Sequence, residues 1–287
     1  MFTELFHNAP LFLTGVFLFG LLIGSFLNVV ILRLPARLEY DWKCQCRELL
    51  ELPESETGPP PDLVWSSSRC THCGHVIRPW ENIPVISYVL LGGKCSACKS
   101  RISPRYPLVE LLTAVLFLVT AWQFGATWHT AAALLLTAFL VALSGIDIDH
   151  QLLPDQLTVP LLWIGLAFTL TGLTVSPASG IIGALAGYLS LWSVYHLFRM
   201  LTGKEGMGYG DFKLLGALGA WMGWQMLPLV ILFSSLVGAV VGVTLLILKR
   251  HKGGQAMPFG PYLAAAGWLA LLWGEDMIEL YIQASGL

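Results

Sequence analysis

The distribution of basic residues constrains this 287-residue chain more than any other feature of its sequence. All 16 Lys and Arg residues lie in three windows, 33–105, 199–213 and 249–252, and none lies between residues 106 and 198. That stretch is far longer than the roughly 20 apolar residues that one membrane-spanning helix needs. Only 12% of the chain is charged, against roughly 25% in a soluble domain, so the sequence predicts a polytopic membrane protein.

Apolar segments predict about eight transmembrane helices, and the expected fold is therefore an all-α polytopic membrane protein. Their approximate bounds are 10–32, 108–124, 128–146, 156–175, 179–198, 212–225, 227–248 and 259–282. The sixth is shorter than a perpendicular span and is interpreted as a half-helix or as a helix that enters the membrane at an angle. This pattern predicts a first transmembrane helix at 1–32, a cytoplasmic domain at 33–107 and a transmembrane core at 108–287. The first segment has neither a basic start nor a small-residue cleavage site, so we expect a retained anchor.

The positive-inside rule gives the expected orientation. With eight spans and the N-terminus outside, the basic residues fall in or beside the cytoplasmic segments 33–107, 199–211 and 249–258. The net charge of −2 gives no basic field that would attract nucleic acid. We therefore expect the lipid bilayer, and not nucleic acid, as a partner.

Two C-x-x-C pairs predict a small zinc-ribbon-like domain between the first two spans. The four thiols belong to Cys70, Cys73, Cys95 and Cys98. The 21 residues between the pairs slightly exceed the usual ribbon spacing, and residues 83–90 could form a strand or small core that accounts for the excess. A reducing cytosol favours structural zinc over the alternatives of redox pairs or unligated thiols. His72 and His75 are expected bystanders, and Cys44 and Cys46, spaced C-x-C, are expected free thiols.

Acidic residues at the ends of predicted spans are the candidate catalytic groups. Asp147 ends an apolar helix, where a carboxylate opposes the helix dipole, so capping does not account for it. Asp211 follows three glycines at alternating positions, which permit close approach of another chain segment. Two facing carboxylates, one ionised and one protonated, can hydrolyse an amide. Asp149 points roughly 200° away from Asp147 on one helix, and Asp155 is readily explained as a helix cap.

Taken together, these motifs resemble those of the bacterial prepilin peptidases, bifunctional leader peptidases and N-methyltransferases of type IV pilus and type II secretion systems. The resemblance covers nearly the whole chain and rests on the segments 24–35, 70–98, 105–110, 147–155, 208–213 and 258–262. It implies that Asp147 and Asp211 are the two catalytic aspartates of a membrane aspartic peptidase. Gly208, Gly210 and Lys213 complete the G-x-G-D-x-K motif around Asp211.

The resemblance also implies the reaction, the partners and the location. Family members remove a short basic leader from type IV prepilins and type II secretion pseudopilins, between a Gly and a Phe. They then methylate the new N-terminal amine with S-adenosylmethionine. The implied location is the bacterial inner membrane, with the N-terminus outside and the cysteine domain in the cytoplasm.

The site of the methyl donor is weakly marked in the sequence. No G-x-G-x-x-G loop follows a strand. The resemblance points to the cytoplasmic segment, where Gly93 is the best candidate for a cofactor-binding residue. A hairpin turn of the ribbon at Gly92 and Gly93 is the alternative. Glu110 could favour a basic leader, or it could be an ordinary acidic residue near a helix N-terminus.

Two other classes of function fit parts of the same pattern. A transporter or channel with a zinc-clamped cytosolic domain would also carry intramembrane acids and a short, broken helix. Against this class, the acids cluster on one predicted membrane face and no inverted repeat is evident. The other class is a non-catalytic scaffold of a pilus assembly machine. Cleavage of a prepilin by the purified protein would separate the enzyme from both.

Overall fold

The computed structural model describes residues 9–53, 58–248 and 257–285, and the chain divides into two compact units between Ala126 and Thr127. Apart from two isolated β-bridges, the regular structure of the described residues is helical. The predicted all-α fold is confirmed.

Nine α-helices account for most of the described residues. They are α1 Ala9–Leu49, α2 Ile86–Leu90, α3 Arg105–Phe124, α4 Trp128–His150, α5 Asp155–Leu170, α6 Pro177–Thr202, α7 Tyr209–Met222, α8 Leu227–Ile247 and α9 Gly260–Ser285. All except the short α2 overlap the predicted apolar segments. Within the described ranges, five helices are long and apolar enough to cross a membrane: α1, α3, α4, α6 and Trp224–Leu245, which contains most of α8. The count of eight crossings stays a prediction.

In the first unit, α1 and α3 pack closely as an antiparallel pair. Gly20 faces Ala114, and Gly24 faces Glu110. A Cβ at these glycines would lie 2.7 and 2.6 Å, respectively, from the opposing Cα atoms. Small residues four positions apart allow two helices to approach this closely in lipid. The pair therefore positions Glu110 against the α1 backbone.

Helix α1 continues beyond the predicted end of the first span, because its extension is rich in helix-forming Arg, Leu, Glu and Lys. The Arg33 side chain donates to the backbone carbonyls of Asp62 and Ser66. Arg37 forms an ion pair with the Asp62 carboxylate at 3.1 Å. These contacts attach the following polar segment to the helix extension.

In the second unit, α7 lies at the centre. Residues 214–222 are all buried, and the helix of 14 residues is only about 21 Å long at 1.5 Å per residue. Because protein surrounds α7, its length does not have to match the bilayer. This burial accounts for the short sixth apolar segment of the sequence.

Close backbone contacts fix α7 in place. A Cβ at Gly183 of α6 would lie 2.2 Å from the carbonyl oxygen of Gly219, so the two backbones touch there. On α7, the Trp221 indole N–H donates to the Leu161 carbonyl of α5 at 2.9 Å. These contacts determine where the first turn of α7, which carries Asp211, lies within the unit.

Candidate active site

Asp147 lies in the last turn of α4 and is only 5% exposed. Asp149, two residues further along, is exposed, as the angle between them on a helix predicts. The Asp147 carboxylate accepts a hydrogen bond of 2.8 Å from the backbone N–H of Gly260. Gly260 is the first residue of α9, so this N–H has no acceptor within its own helix. The start of α9 thus stabilises the negative charge of Asp147, which the dipole at the C-terminal end of α4 disfavours.

The contact between Asp147 and Gly260 requires a glycine. A Cβ at residue 260 would lie 2.8 Å from the Asp147 carboxylate oxygen and 3.1 Å from a side-chain carbon of Leu153. The first distance is shorter than real Cβ contacts, so the carboxylate would have to move, and the second is tighter than most. The segment 258–262 belongs to the motifs quoted above, but sequence reasoning assigned it no role.

Asp211 lies in the first turn of α7 and is 6% exposed. Gly208 is the N-cap residue of this helix, and its backbone N–H donates to the Asp211 carboxylate. The helix dipole also favours a negative charge in this turn. The carboxylates of Asp211 and Asp147 are close enough to interact electrostatically. The second unit therefore brings together the two acids singled out from the sequence.

The rest of the G-x-G-D-x-K motif supports the start of α7. A Cβ at Gly210 would lie 2.6 Å from the Cβ of Leu153, so only glycine fits against that loop. Lys213 donates to the Asp155 carboxylate at 2.6 Å and links α7 to the start of α5. Asp155 lies in the first turn of α5, as an acid near a helix start should, and also forms this ion pair.

A second group of candidate residues, the four paired cysteines, converges in the first unit. The Sγ atoms of Cys70, Cys73, Cys95 and Cys98 all lie within 4.8 Å of one another. The Sγ atoms of Cys70 and Cys98 are 3.8 Å apart. Four thiolates at about 2.3 Å from one tetrahedral zinc ion would be separated by about 3.8 Å, so the donor set fits this metal. Cys44 and Cys46 lie outside the group.

Each cysteine pair occupies a knuckle of the same design. The backbone N–H of the first cysteine donates to the carbonyl five residues later, from Cys70 to His75 at 2.9 Å and from Cys95 to Ser100 at 2.8 Å. The residue after the second cysteine has a positive φ in both knuckles, and in the second knuckle that residue is Lys99. The two short sequence motifs therefore fold into matching turns that direct their thiols inward.

In the first knuckle, backbone N–H groups favour the thiolate form of Cys70. The N–H groups of Cys73 and His72 donate to the Cys70 sulfur and lower the pKa of this thiol to about 6. His75 contacts the Glu81 carboxylate at 3.3 Å and is not among the four grouped ligands. The Arg78 backbone N–H, with smaller contributions from the Ser96 hydroxyl and His75, lowers the pKa of Glu81 to about 2. His72 is likewise outside the group of four thiols, and the bystander role of both histidines stays a prediction.

Comparison with known proteins assigns the chain to a family. Residues 18–124 match the bacterial peptidase A24 N-terminal domain, and residues 134–243 match the type IV leader peptidase family. The chain is 58% identical over 275 residues to the prepilin leader peptidase/N-methyltransferase of Pseudomonas aeruginosa, covering 96% of this chain and 95% of that protein. The chain belongs to the prepilin leader peptidase/N-methyltransferase family.

Other family members are similar over most of their length. The Stutzerimonas stutzeri protein is 56% identical over 285 residues, covering 99% of both chains. The Neisseria gonorrhoeae protein is 50% identical over 254 residues, covering 87% of this chain and 86% of its own. No solved structure matches the chain. The resemblance stated from the motifs is confirmed, and family membership together with the apolar helices makes this a multi-pass inner-membrane protein.

The segment between the two knuckles differs from its sequence-based interpretation. Residues 83–90 contain the short helix α2, so the strand considered above is wrong: the only bridges in this described region lie within the knuckles. The backbone N–H of Val85 donates to the Glu110 carboxylate at 2.8 Å and anchors the start of α2 to α3. The backbone N–H of Gly93 donates to the Tyr88 carbonyl at 2.8 Å. Gly93 thus closes α2, and its role towards the methyl donor stays a prediction.

Proposed function

We propose that this protein removes the basic leader from type IV prepilins and type II secretion pseudopilins and then N-methylates the new terminal residue. The observation that carries the peptidase half is the pair of interacting, buried carboxylates of Asp147 and Asp211, each held by a backbone N–H. Relatives that are 50–58% identical carry both activities in their names. The two aspartates are the proposed catalytic dyad.

Cleavage requires one carboxylate of the dyad to be ionised and the other to be protonated. The ionised carboxylate takes a proton from water, and the water oxygen attacks the scissile carbonyl carbon. The protonated carboxyl gives its proton to the amide nitrogen as the C–N bond breaks. Two buried acids that interact electrostatically suit this division because they disfavour simultaneous ionisation.

The amine that cleavage releases is the nucleophile of the second reaction. Its lone pair forms a bond to the methyl carbon of S-adenosylmethionine as the bond from carbon to sulfur breaks, and the amine then loses a proton. The methyl donor supplies an electrophilic methyl group when bound. The protein has to hold the amine and the donor in line and exclude water.

We also propose that the four paired cysteines hold one structural zinc ion. Four thiolates complete a tetrahedron and leave no open position for water or substrate, so no catalytic step passes through the metal. A domain as small as the knuckle region rarely folds stably without such a staple. The fit of the sulfur separations to zinc supports this role.

The proposed orientation places the N-terminus outside and the cysteine domain in the cytoplasm, with an anchor at 1–32, a cytoplasmic domain at 33–107 and a peptidase core at 108–287. The confinement of Lys and Arg to three sequence windows supports this orientation. The residues of the third window, Lys249, Arg250 and Lys252, lie outside the described residues. Reporter fusions at Phe124 and Pro177 should read as external, and one at Glu205 should read as cytoplasmic. A cytoplasmic signal at Pro177 would contradict this topology.

Incubation of the purified full chain in lipid nanodiscs with a prepilin tests the function as a whole. Mass spectrometry should show loss of the leader, and addition of S-adenosylmethionine should add one methyl group to the new N-terminus. A transporter or a non-catalytic scaffold would leave the prepilin intact, and that result would contradict the proposal.

A further inference from the structure

A cavity of about 970 Å³ lies within the first unit, between the α1–α3 pair and the two knuckles. Helix α1 contributes Asn28, α3 contributes Glu110 and α2 contributes Tyr88, while the paired cysteines Cys70 and Cys95 form part of the wall. The volume is within the range of small-molecule sites, about 300–1,000 Å³. The proposed peptidase dyad belongs to the second unit, whereas every residue that lines this cavity belongs to the first.

Glu110 gives the cavity a buried acid without a basic partner. Its side chain is 7% exposed, and its carboxylate accepts hydrogen bonds from the Val85 backbone N–H and the Ser25 hydroxyl. Among the residues that the structure describes, no Lys, Arg or His forms an ion pair with it. A carboxylate can accept about four hydrogen bonds, and a buried charge is costly unless it is paired. The cavity thus offers a place for a cation.

The other charged residues of the lining decide what kind of cation fits. Arg69 and Arg101 line the cavity and are exposed, and Arg33 lines it as well. The second lining carboxylate, Glu81, already accepts a backbone N–H and contacts a histidine. A polybasic leader would meet three arginines here. A zwitterion with a cationic centre and a terminal carboxylate matches a buried acid combined with exposed arginines.

We propose that this cavity is the binding site for S-adenosylmethionine, with Glu110 facing the sulfonium and Arg69 or Arg101 holding the methionine carboxylate. The inference rests on the proposed methyl transfer and adds the place where the donor binds. The rings of Tyr88 and Tyr106 line the same cavity and offer a stacking face for the adenine. The zinc knuckles then serve methyl transfer by shaping one wall of the donor site.

The first test compares Glu110→Gln with the wild-type chain in nanodiscs. Gln keeps an acceptor for the Val85 N–H but lacks the charge, so the Kd of S-adenosylmethionine and its KM for methylating a leaderless peptide should rise about 10- to 100-fold. The value of kcat at saturating donor should fall much less, and the zinc content should match that of the wild type. Glu275→Gln, at an exposed carboxylate of α9, is the matched control and should change neither constant.

Two results of this comparison would overturn the assignment. One is a wild-type Kd and KM for S-adenosylmethionine in Glu110→Gln. The other is a raised KM for prepilin cleavage with an unchanged donor Kd, because the cavity would then bind the basic leader.

Photo-cross-linking of tritiated S-adenosylmethionine to the wild-type chain gives a readout that does not depend on how a variant folds. Peptide mapping should place the label within residues 25–33 or 59–110, which contain the cavity lining. A wild-type chain that methylates but carries its label in the second unit would contradict the cavity assignment alone. A chain that cleaves prepilin but neither binds the donor nor methylates would contradict the methyltransferase half of the proposed function.

Discussion

Backbone N–H groups at two helix starts determine how Asp147 and Asp211 are held. Gly260 begins α9 and donates to Asp147, while Gly208 caps α7 and donates to Asp211. The first N–H groups of a helix have no partner within that helix, so they are available for such contacts. Because the backbone and not neighbouring side chains holds the pair, substitutions nearby should disturb it only when they move a helix start.

At the same scale, Gly93 and Gly92 form a matched test of the inferred methyl-donor site. Both have positive φ, so Ala at either position carries a similar backbone strain of roughly 1–2 kcal/mol. A Cβ at Gly93 would lie 3.0 Å from the Tyr88 hydroxyl, whereas a Cβ at Gly92 meets nothing within 4 Å. Gly93→Ala should therefore raise the KM for S-adenosylmethionine several-fold more than Gly92→Ala does. Equal values for the two variants would show that Tyr88 does not contribute to the donor site.

Sequence motifs were sufficient to select Asp147, Asp211 and the four paired cysteines, because these residue types are rare at such places without a function. The same motifs could not reveal that Gly260 donates to Asp147. The two residues lie 113 positions apart, and the contact depends on how α9 packs against α4. The unpaired state of Glu110 is likewise a property of the folded unit and not of its local sequence.

At the scale of helices, the apolar segments predicted the positions of eight of the nine described α-helices, including the short α7, but not where α1 ends. Helix α7 is short because neighbouring helices surround it, and only its burial reveals this reason. Helix α1 extends to Leu49 because the residues that follow its apolar stretch have high helix propensity. Helix α2 replaced a strand because the described knuckles offer no neighbouring strand for it to pair with.

The packing of α7 against the loop that follows α4 gives a test at this scale. Ala at Gly210 would overlap Leu153 and should shift the helix start that carries Asp211, at a cost of about 1–3 kcal/mol. Ala at Gly208 would meet only the Asp211 carboxylate, at 3.8 Å, and its extended backbone suits any residue. Cleavage rates should fall strongly in Gly210→Ala and little in Gly208→Ala. The reverse order would mean that contact with Leu153 does not position α7.

At the scale of the whole molecule, the dyad belongs to one unit and the thiol group and the cavity belong to the other. The two matched family regions, 18–124 and 134–243, follow the same division of the chain. Cleavage and methyl transfer should therefore be separable by substitution.

Removal of the metal ligands tests this separation. Wild-type protein should contain about one zinc ion per chain, and Cys70→Ser/Cys73→Ser should lose it, because metal binding and folding of such a domain are coupled. Methyl transfer should suffer at least as much as cleavage, since Cys70 lines the inferred donor cavity. The double variant Cys44→Ser/Cys46→Ser is the control and should keep its zinc. A metal-free wild-type protein with both activities intact would refute the zinc clamp.

The most direct test of the central claim is the rate of prepilin cleavage by single Asp→Asn variants in nanodiscs. Asp147→Asn and Asp211→Asn should each lose at least about 10²- to 10⁴-fold, because an amide cannot exchange the proton that general acid–base catalysis requires. Asp149→Asn and Asp155→Asn should retain substantial activity, since Asp149 is exposed and Asp155 forms an ion pair with Lys213. An inactive Asp149→Asn beside an active Asp147→Asn would contradict the account.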